Sequence, residues 1–230
     1  MKLLFIPPSG AGVENWLLQT SHFSGSEAIS LPGHPAGKPL DSIEEYTAWL
    51  HHYIHRRGYQ DVVLAGHSFG SAVALMYSLQ YPAELKGQVL IGSGAKLKAS
   101  QAYYTAVKSM LNDEDAWRKY NEKFAVSDPR LKPATEAKIR IGPAVLFNDL
   151  LCCDKFNVMD RLHNVRAPTL IIVGAEDEMT PVKFAQYLAD RITGSKMVII
   201  KGATHAVAME KPDEVNRLIQ EWADTIHALC

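Results

Sequence analysis

Six short runs along the chain, residues 3–6, 28–31, 62–65, 88–91, 169–173 and 197–200, are apolar almost throughout. A strand with one wet face alternates apolar and polar side chains, whereas a strand covered on both faces has no reason to. The runs therefore predict a parallel sheet sandwiched between helices. Between them the apolar positions recur at helical spacing. Over residues 41–57, Ile43, Tyr46, Leu50, Tyr53 and Ile54 make one stripe, Ser42 and Glu45 stand at capping-box spacing, and Gly58 supplies a stop. Residues 14–21, 69–80, 181–192 and 212–229 read as further helices, with Pro181 and Pro212 near N-terminal positions. Strands alternating with helices imply crossovers and a doubly wound α/β sheet.

Residues 95–162 break the alternation. They carry helical signals over 100–124 and 134–153, the second interrupted at Gly142-Pro143, but no good strand. This predicts an all-helical lid inserted after the fourth strand, with residues 1–94 and 163–230 forming the core and 95–162 the cap.

Composition narrows the partners. Lysine and arginine total 24 against 25 for aspartate and glutamate, a formal net charge of −1. Nucleic acid and anionic membrane surfaces call for a basic face, so neither is expected as a partner. No apolar run reaches the roughly eighteen residues of a membrane span. The run at 3–6 ends in Pro7-Pro8 and is too short for the apolar core of a signal peptide. Cysteines at 152, 153 and 230 are odd in number, with two adjacent, which fits free thiols in a reducing cytoplasm and not a zinc site.

The chemistry starts at DVVLAGHSFGSAVAL, residues 61–75. A strand meets a helix through Gly66-His67-Ser68-Phe69-Gly70, a G-x-S-x-G pattern in the context that gives it meaning. So sharp a reversal crowds the backbone, and glycines two residues either side of Ser68 relieve the crowding. The hydroxyl then stands above the sheet edge at a helix N-terminus, which favours a developing oxyanion. Such a nucleophile needs a base, and the base an orienting group, from other strand ends opening on the same crevice. The strand at 169–173 runs into Gly174-Ala175-Glu176-Asp177, and the strand at 197–200 into Lys201-Gly202-Ala203-Thr204-His205. His205 is the one histidine directly after a core strand apart from His67 inside the turn; Glu176, Asp177 and Glu178 are candidate acids, each also readable as a solvated loop charge.

With these motifs in order, the whole chain resembles an α/β-hydrolase with a Ser-Asp-His triad. Leu31-Pro32-Gly33-His34-Pro35 is similar to the family's loop after the fourth strand, and Glu210-Lys211-Pro212 follows the histidine as it does there. The resemblance implies Ser68 as nucleophile, His205 as general base and then acid, and Asp177, by the family's G-x-x-D spacing, as the group that fixes the imidazole tautomer. It implies Phe69 N–H as one oxyanion donor and Ser9 N–H as the other. The family's His-Gly pair before that second donor is replaced here by Pro7-Pro8, which fix φ where a glycine would be free. Because the first strand opens at residue 3, the family's leading antiparallel pair is not expected, and a six-stranded all-parallel minimal sheet is.

A serine at the turn, where alkyl-displacing relatives need an aspartate, implies acyl transfer: a small carboxylic ester first, an acyl thioester second. Pro-x-x-Gly variants of the opening loop are similar to acyl-thioesterases of carrier-bound chains. A receptor or a lyase on the same fold stays open as an alternative. Pro8, His67, Met179 and Ala206, with Phe147 from the insertion, are expected to bind substrate. No cofactor and no metal are implied. Ser9-Gly10-Ala11-Gly12 lacks the further residues of a phosphate loop. His51 and His55, with Glu44, read as a solvated helix face, and Cys152 and Cys153 as packing residues.

Overall fold

Apolar runs that do not alternate call for cover on both faces, and a computed structural model describing residues 1–227 supplies it for the inner strands, while the run at 197–200 lies on an edge strand where Ile199 stays 46% exposed. Six parallel strands, β1 (Lys2–Ile6), β2 (Glu27–Ala28), β3 (Val62–His67), β4 (Leu85–Ile91), β5 (Thr169–Gly174) and β6 (Lys196–Ile200), lie in the order β2-β1-β3-β4-β5-β6 among the described residues. Alternate side chains go to opposite faces, and both sets are apolar. Leu4, Leu64, Leu90 and Ile171 join one core cluster, while Phe5, Val63, Val89 and Leu170 join the other.

The helices are α1 (Leu17–His22), α2 (Ile43–Arg56), α3 (Phe69–Gln80), α4 (Gln101–Ser109), α5 (Glu114–Lys123), α6 (Lys132–Ile141), α7 (Pro143–Lys155), α8 (Val182–Ala189), α9 (Val207–Glu210) and α10 (Pro212–His227). In α2 the Ser42 hydroxyl accepts the Glu45 N–H at 3.2 Å, and the Glu45 carboxylate reaches back to the Asp41 N–H at 2.8 Å. None of the described helices is long and apolar enough to cross a membrane.

Several element boundaries differ from expectation for local reasons. The run at 28–31 is a strand only at Glu27–Ala28. Ile29 still donates to Phe5 O at 2.9 Å, but the chain then turns, with Ser30 Oγ donating to His34 O at 2.7 Å. The helix expected over 14–21 opens instead with a 3-10 turn, Val13–Trp16. The candidate at 100–124 divides into α4 and α5 because Asp113 caps the second, accepting the Ala116 N–H at 2.9 Å. The candidate at 134–153 divides at Gly142-Pro143, as its sequence suggests. The last two residues of the helix expected over 212–229, and Cys230, lie outside the described residues. A bridge between Lys96 and Asn157, with Val158 N–H donating to Ala95 O at 2.8 Å, draws together the two ends of the helical segment between β4 and β5.

Strand order sets the position of the crevice. From β1 the chain moves outward to β2 and then returns to β3 on the other side, so the loops after β1 and β3 diverge. Register keeps the strand ends level: Ile6 pairs with Gly66, His67 with Ile91, Ile91 with Ile172, and Gly174 with Ile200. The segments beginning at Pro7, Ser68, Gly92, Ala175 and Lys201 therefore open on one edge.

Candidate active site

At the end of β3 the backbone turns within one residue. Ser68 has φ 53° and ψ −113°, a region that costs an L-residue strain unless its surroundings hold it. They do: Ser68 N–H donates to Ile91 O at 2.9 Å, and Ser68 O accepts from Ser71 Oγ at 2.6 Å. The flanking glycines are required by contact. A Cβ on Gly66 would lie 2.2 Å from Gly70 O, and one on Gly70 would lie 2.2 Å from Ile6 O. The turn is thus wedged against the end of β1.

Asp177 and His205 follow the strands two and three places away, and His205 Nδ1 stands 2.8 Å from Asp177 Oδ2. The other carboxylate oxygen accepts the N–H groups of Met179 at 2.9 Å and Thr180 at 2.8 Å, while Thr180 Oγ1 donates to Oδ2 at 2.8 Å. Burial works to raise the Asp177 pKa, but the hydrogen bond and charge of His205 and the bonds from Thr180 outweigh it and hold the carboxyl below its ordinary value. An ionised carboxylate on Nδ1 selects the tautomer that leaves Nε2 free to accept a proton. Glu176 and Glu178 are exposed. Gly92, at φ +53°, backs the imidazole: a Cβ there would meet His205 Cε1 at 3.0 Å. Neither Thr180 nor Gly92 was singled out from sequence, although a glycine directly after a core strand is a usable signal.

His67 packs beside the same imidazole, its ring 4.9 Å away, with Nε2 donating to His205 O at 2.8 Å. Burial first, then the charges of His205 and Lys138, push His67 down to about 3, so it is neutral near pH 7.

The loop after β1 is held from the inserted helices. The Gly10 N–H donates to Asp149 Oδ2 at 2.8 Å, and His34 Nε2 meets the same oxygen at 2.8 Å. Both side chains are fully buried. Burial pulls the His34 pKa down, but the bond and charge of Asp149 more than offset it, and it stands above its ordinary value. This pair fastens Ser9-Gly10 in place of the glycine-rich geometry that Pro7-Pro8 forgo. Asp149 went unrecognised in the sequence; an acid among Leu146, Leu150, Cys152 and Cys153 on a buried helix was the available signal. The main-chain N–H groups of Ser9 and Phe69 have no hydrogen-bond partner among the described residues.

Ser68 and His205 open on one cavity of about 550 Å³, whose wall also includes Ser9, Pro8, His67, Met179 and Ala206. Met179 is 51% exposed and so stands at the rim. The expectation for Phe147 is corrected: it is not on this wall but packs edge-on to Tyr104, with ring centroids 6.0 Å apart. Leu146 and Leu150, one helical turn apart, face the cavity instead, and Phe147 lies about 100° round α7 from Leu146. Cys153 is also on the wall, but burial pushes its thiol well above the range of a reactive thiolate.

One side-chain cluster among the described residues has the composition of a metal site: His51, His55 and Glu84, their ligand atoms within 4.8 Å of one another. Glu84 occupies the place that sequence spacing suggested for Glu44. Its carboxylate already accepts from Tyr77 Oη at 2.7 Å and meets His51 and His55 at 3.1 and 3.2 Å, so hydrogen bonding accounts for the grouping.

Residues 3–218 match the family model described as "Alpha/beta hydrolase family". A proline iminopeptidase of Saccharolobus solfataricus is 28% identical over 207 residues, a match spanning 75% of this chain but only 65% of that protein. A pimeloyl-[acyl-carrier protein] methyl ester esterase of Neisseria meningitidis is 25% identical over 217 residues, covering 86% of this chain and 68% of the relative. Among solved structures, a thermophilic esterase superposes with a TM-score of 0.80 at 27% identity, covering 97% of this chain and 90% of that one.

Proposed function

The chain belongs to the alpha/beta hydrolase family, and from that premise we propose that it cleaves a small carboxylic ester through an acyl-enzyme on Ser68. The observation that carries this reading is the imidazole of His205, fixed through Nδ1 by Asp177 and sharing a cavity with a hydroxyl on a strained turn. In the proposed reaction Ser68 Oγ attacks the ester carbonyl as His205 Nε2 takes its proton. The tetrahedral oxyanion is received by the N–H groups of Ser9 and Phe69. Collapse expels the alcohol, which takes the proton from His205, and water then attacks the acyl-enzyme by the same route.

Helices α4 to α7 act in this proposal as a lid. Tyr103, Leu146 and Leu150 give the cavity an apolar side that keeps water from the acyl group. The esterase neighbour and the methyl ester esterase relative support an ester over other acyl compounds. The iminopeptidase relative keeps iminopeptidase activity as a second reading.

A rate panel decides between them: 4-nitrophenyl esters and acyl thioesters of increasing chain length, with a prolyl anilide, assayed on wild type and Ser68→Ala. The expected result is ester turnover that falls on the order of 10⁴- to 10⁶-fold in Ser68→Ala while the fold persists. Ester turnover by Ser68→Ala at the wild-type rate overturns the proposal, and a dominant anilide rate replaces it with the second reading.

A further inference from the structure

The proposed reaction leaves two polar side chains on the cavity wall with nothing to do. Asn15 is only 2% exposed, yet neither its Oδ1 nor its Nδ2 has a hydrogen-bond partner among the described residues. Lys138, on α6, is half-buried, and its ammonium has no hydrogen-bond or ion-pair partner among the described residues. Both line the cavity that holds Ser68 and His205, and Lys138 also borders a smaller adjoining space of about 90 Å³. Burying an amide without a partner is unfavourable, as is withdrawing an ammonium from water with no counter-charge, and folded proteins rarely do either away from a functional site.

The two groups belong to segments packed on each other. The turn at Val13–Trp16 contacts α6, Arg140 meets Glu14 at 3.0 Å across that contact, and a Cβ on Gly12 would lie 3.5 Å from Ala137. Nothing else on the wall answers the lysine. Glu178 is exposed and makes no ion pair with it, His67 is neutral, and Lys98 is an exposed charge of the same sign. Burial alone holds the Lys138 ammonium below its ordinary pKa, the mark of a cation that lacks a counter-ion.

We propose that Lys138 and Asn15 form a subsite for a carboxylate carried by the substrate, on either the acyl or the alcohol part of the ester. The Lys138 ammonium supplies the counter-charge, and the Asn15 amide donates a hydrogen bond to the same group. The inference rests on the ester-hydrolase reading of Ser68 and adds to it a substrate class, the half-esters and acyl derivatives of carboxylic acids.

The test compares matched pairs. On the acyl side, monomethyl esters of straight-chain dicarboxylic acids of four to eight carbons are set against their ω-carboxamide counterparts. On the alcohol side, acetate esters of ω-hydroxy acids are set against the corresponding amides. In one of the two arms wild type should favour the anionic member by roughly ten- to a hundredfold in kcat/KM, the size of a charge-assisted hydrogen bond. Lys138→Met should bring that ratio to near one, Lys138→Arg should retain most of it, and Asn15→Leu should lower it. Lys138→Met should also leave Tm unchanged or slightly higher, since it replaces a half-buried, unpaired charge with an apolar side chain of similar length.

Calorimetric titration of the same esters onto Ser68→Ala reads the subsite without turnover, and there too the anionic preference should vanish with Lys138→Met. A ratio near one for wild type in both arms, or a preference that survives Lys138→Met, overturns the subsite. Hydrolysis of the neutral members without anionic preference removes the subsite and leaves the hydrolase reading. Anion-dependent binding without any hydrolysis does the reverse.

Discussion

At the scale of single residues, the site is built from conformations and contacts that the local sequence makes unavoidable. Ser68 is held at φ 53°, where an L-residue is strained and a glycine is not. Ser68→Gly should therefore be more stable than Ser68→Ala by about 1 kcal/mol, with both inactive on esters. Equal denaturation midpoints for the two variants would count against stored strain at the turn. The turn was legible from Gly66-x-Ser68-x-Gly70 because the crowding that demands those glycines arises within five residues. Thr180 was not legible: that its hydroxyl reaches Asp177 while its N–H does the same depends on how residues 177–181 close, and Ser or Thr is common in any loop.

At the scale of elements, the inserted helices do more than cover the sheet. Asp149 on α7 ties the loop after β1 to His34 through one buried carboxylate oxygen. Asp149→Ala leaves the His34 imidazole and the Gly10 N–H enclosed without that partner, and should cost about 3–5 kcal/mol of stability. It should also lower kcat, because Ser9 stands next to the released Gly10. The sign of the pH dependence follows from His34, whose folded pKa is raised above its unfolded value. The stabilisation is fully present below about pH 6.5 and is lost as pH rises through the folded pKa. Urea titrations of wild type and Asp149→Ala should accordingly diverge most below pH 6.5 and draw closer as pH rises through the folded His34 pKa, with a residual gap from the lost Gly10 bond. A gap that widens with pH contradicts the pairing. Sequence periodicity found α7 but assigned the cavity to Phe147. Orientation about a helix axis is settled by what the helix packs on, and an apolar run offers several equivalent faces.

For the whole molecule, a sheet of six parallel strands has two edges to protect, and β2 is the shorter guard with two residues. Glu27 fastens it. Its carboxylate accepts from Tyr53, Tyr59 and Arg57 and lies 3.5 Å from Lys2 Nζ. Burial opposes ionisation there, but those hydrogen bonds and the Arg57 charge lower the pKa to about 2. A depressed carboxylate contributes stability that is present above its ordinary value of about 4.5 and is lost as pH falls toward 2. Glu27→Gln should flatten the acid limb of stability across that window, read by thermal melts from pH 5 to pH 2. An unchanged slope would place the acid sensitivity elsewhere.

The sequence by itself determined the class of fold and the strand ends from which chemistry could come. Non-alternating apolar runs point to strands covered on both faces, which holds for β3 and β5 and fails at the edge strand β6, and glycines either side of a serine at a strand-to-helix turn answer a local crowding. It also placed Asp177 and His205 after neighbouring strands, and the two side chains meet at 2.8 Å. The tertiary structure alone decided what the loop after β1 leans on, since Gly10 and Asp149 are 139 residues apart and His34 and Asp149 are 115 apart. It alone brought the Asn15 amide and the Lys138 ammonium to one wall, with no side-chain partner among the described residues. Periodicity reports which face of an element is buried. Which distant polar group it is buried against, or whether any group is there at all, depends on the packing of the complete chain.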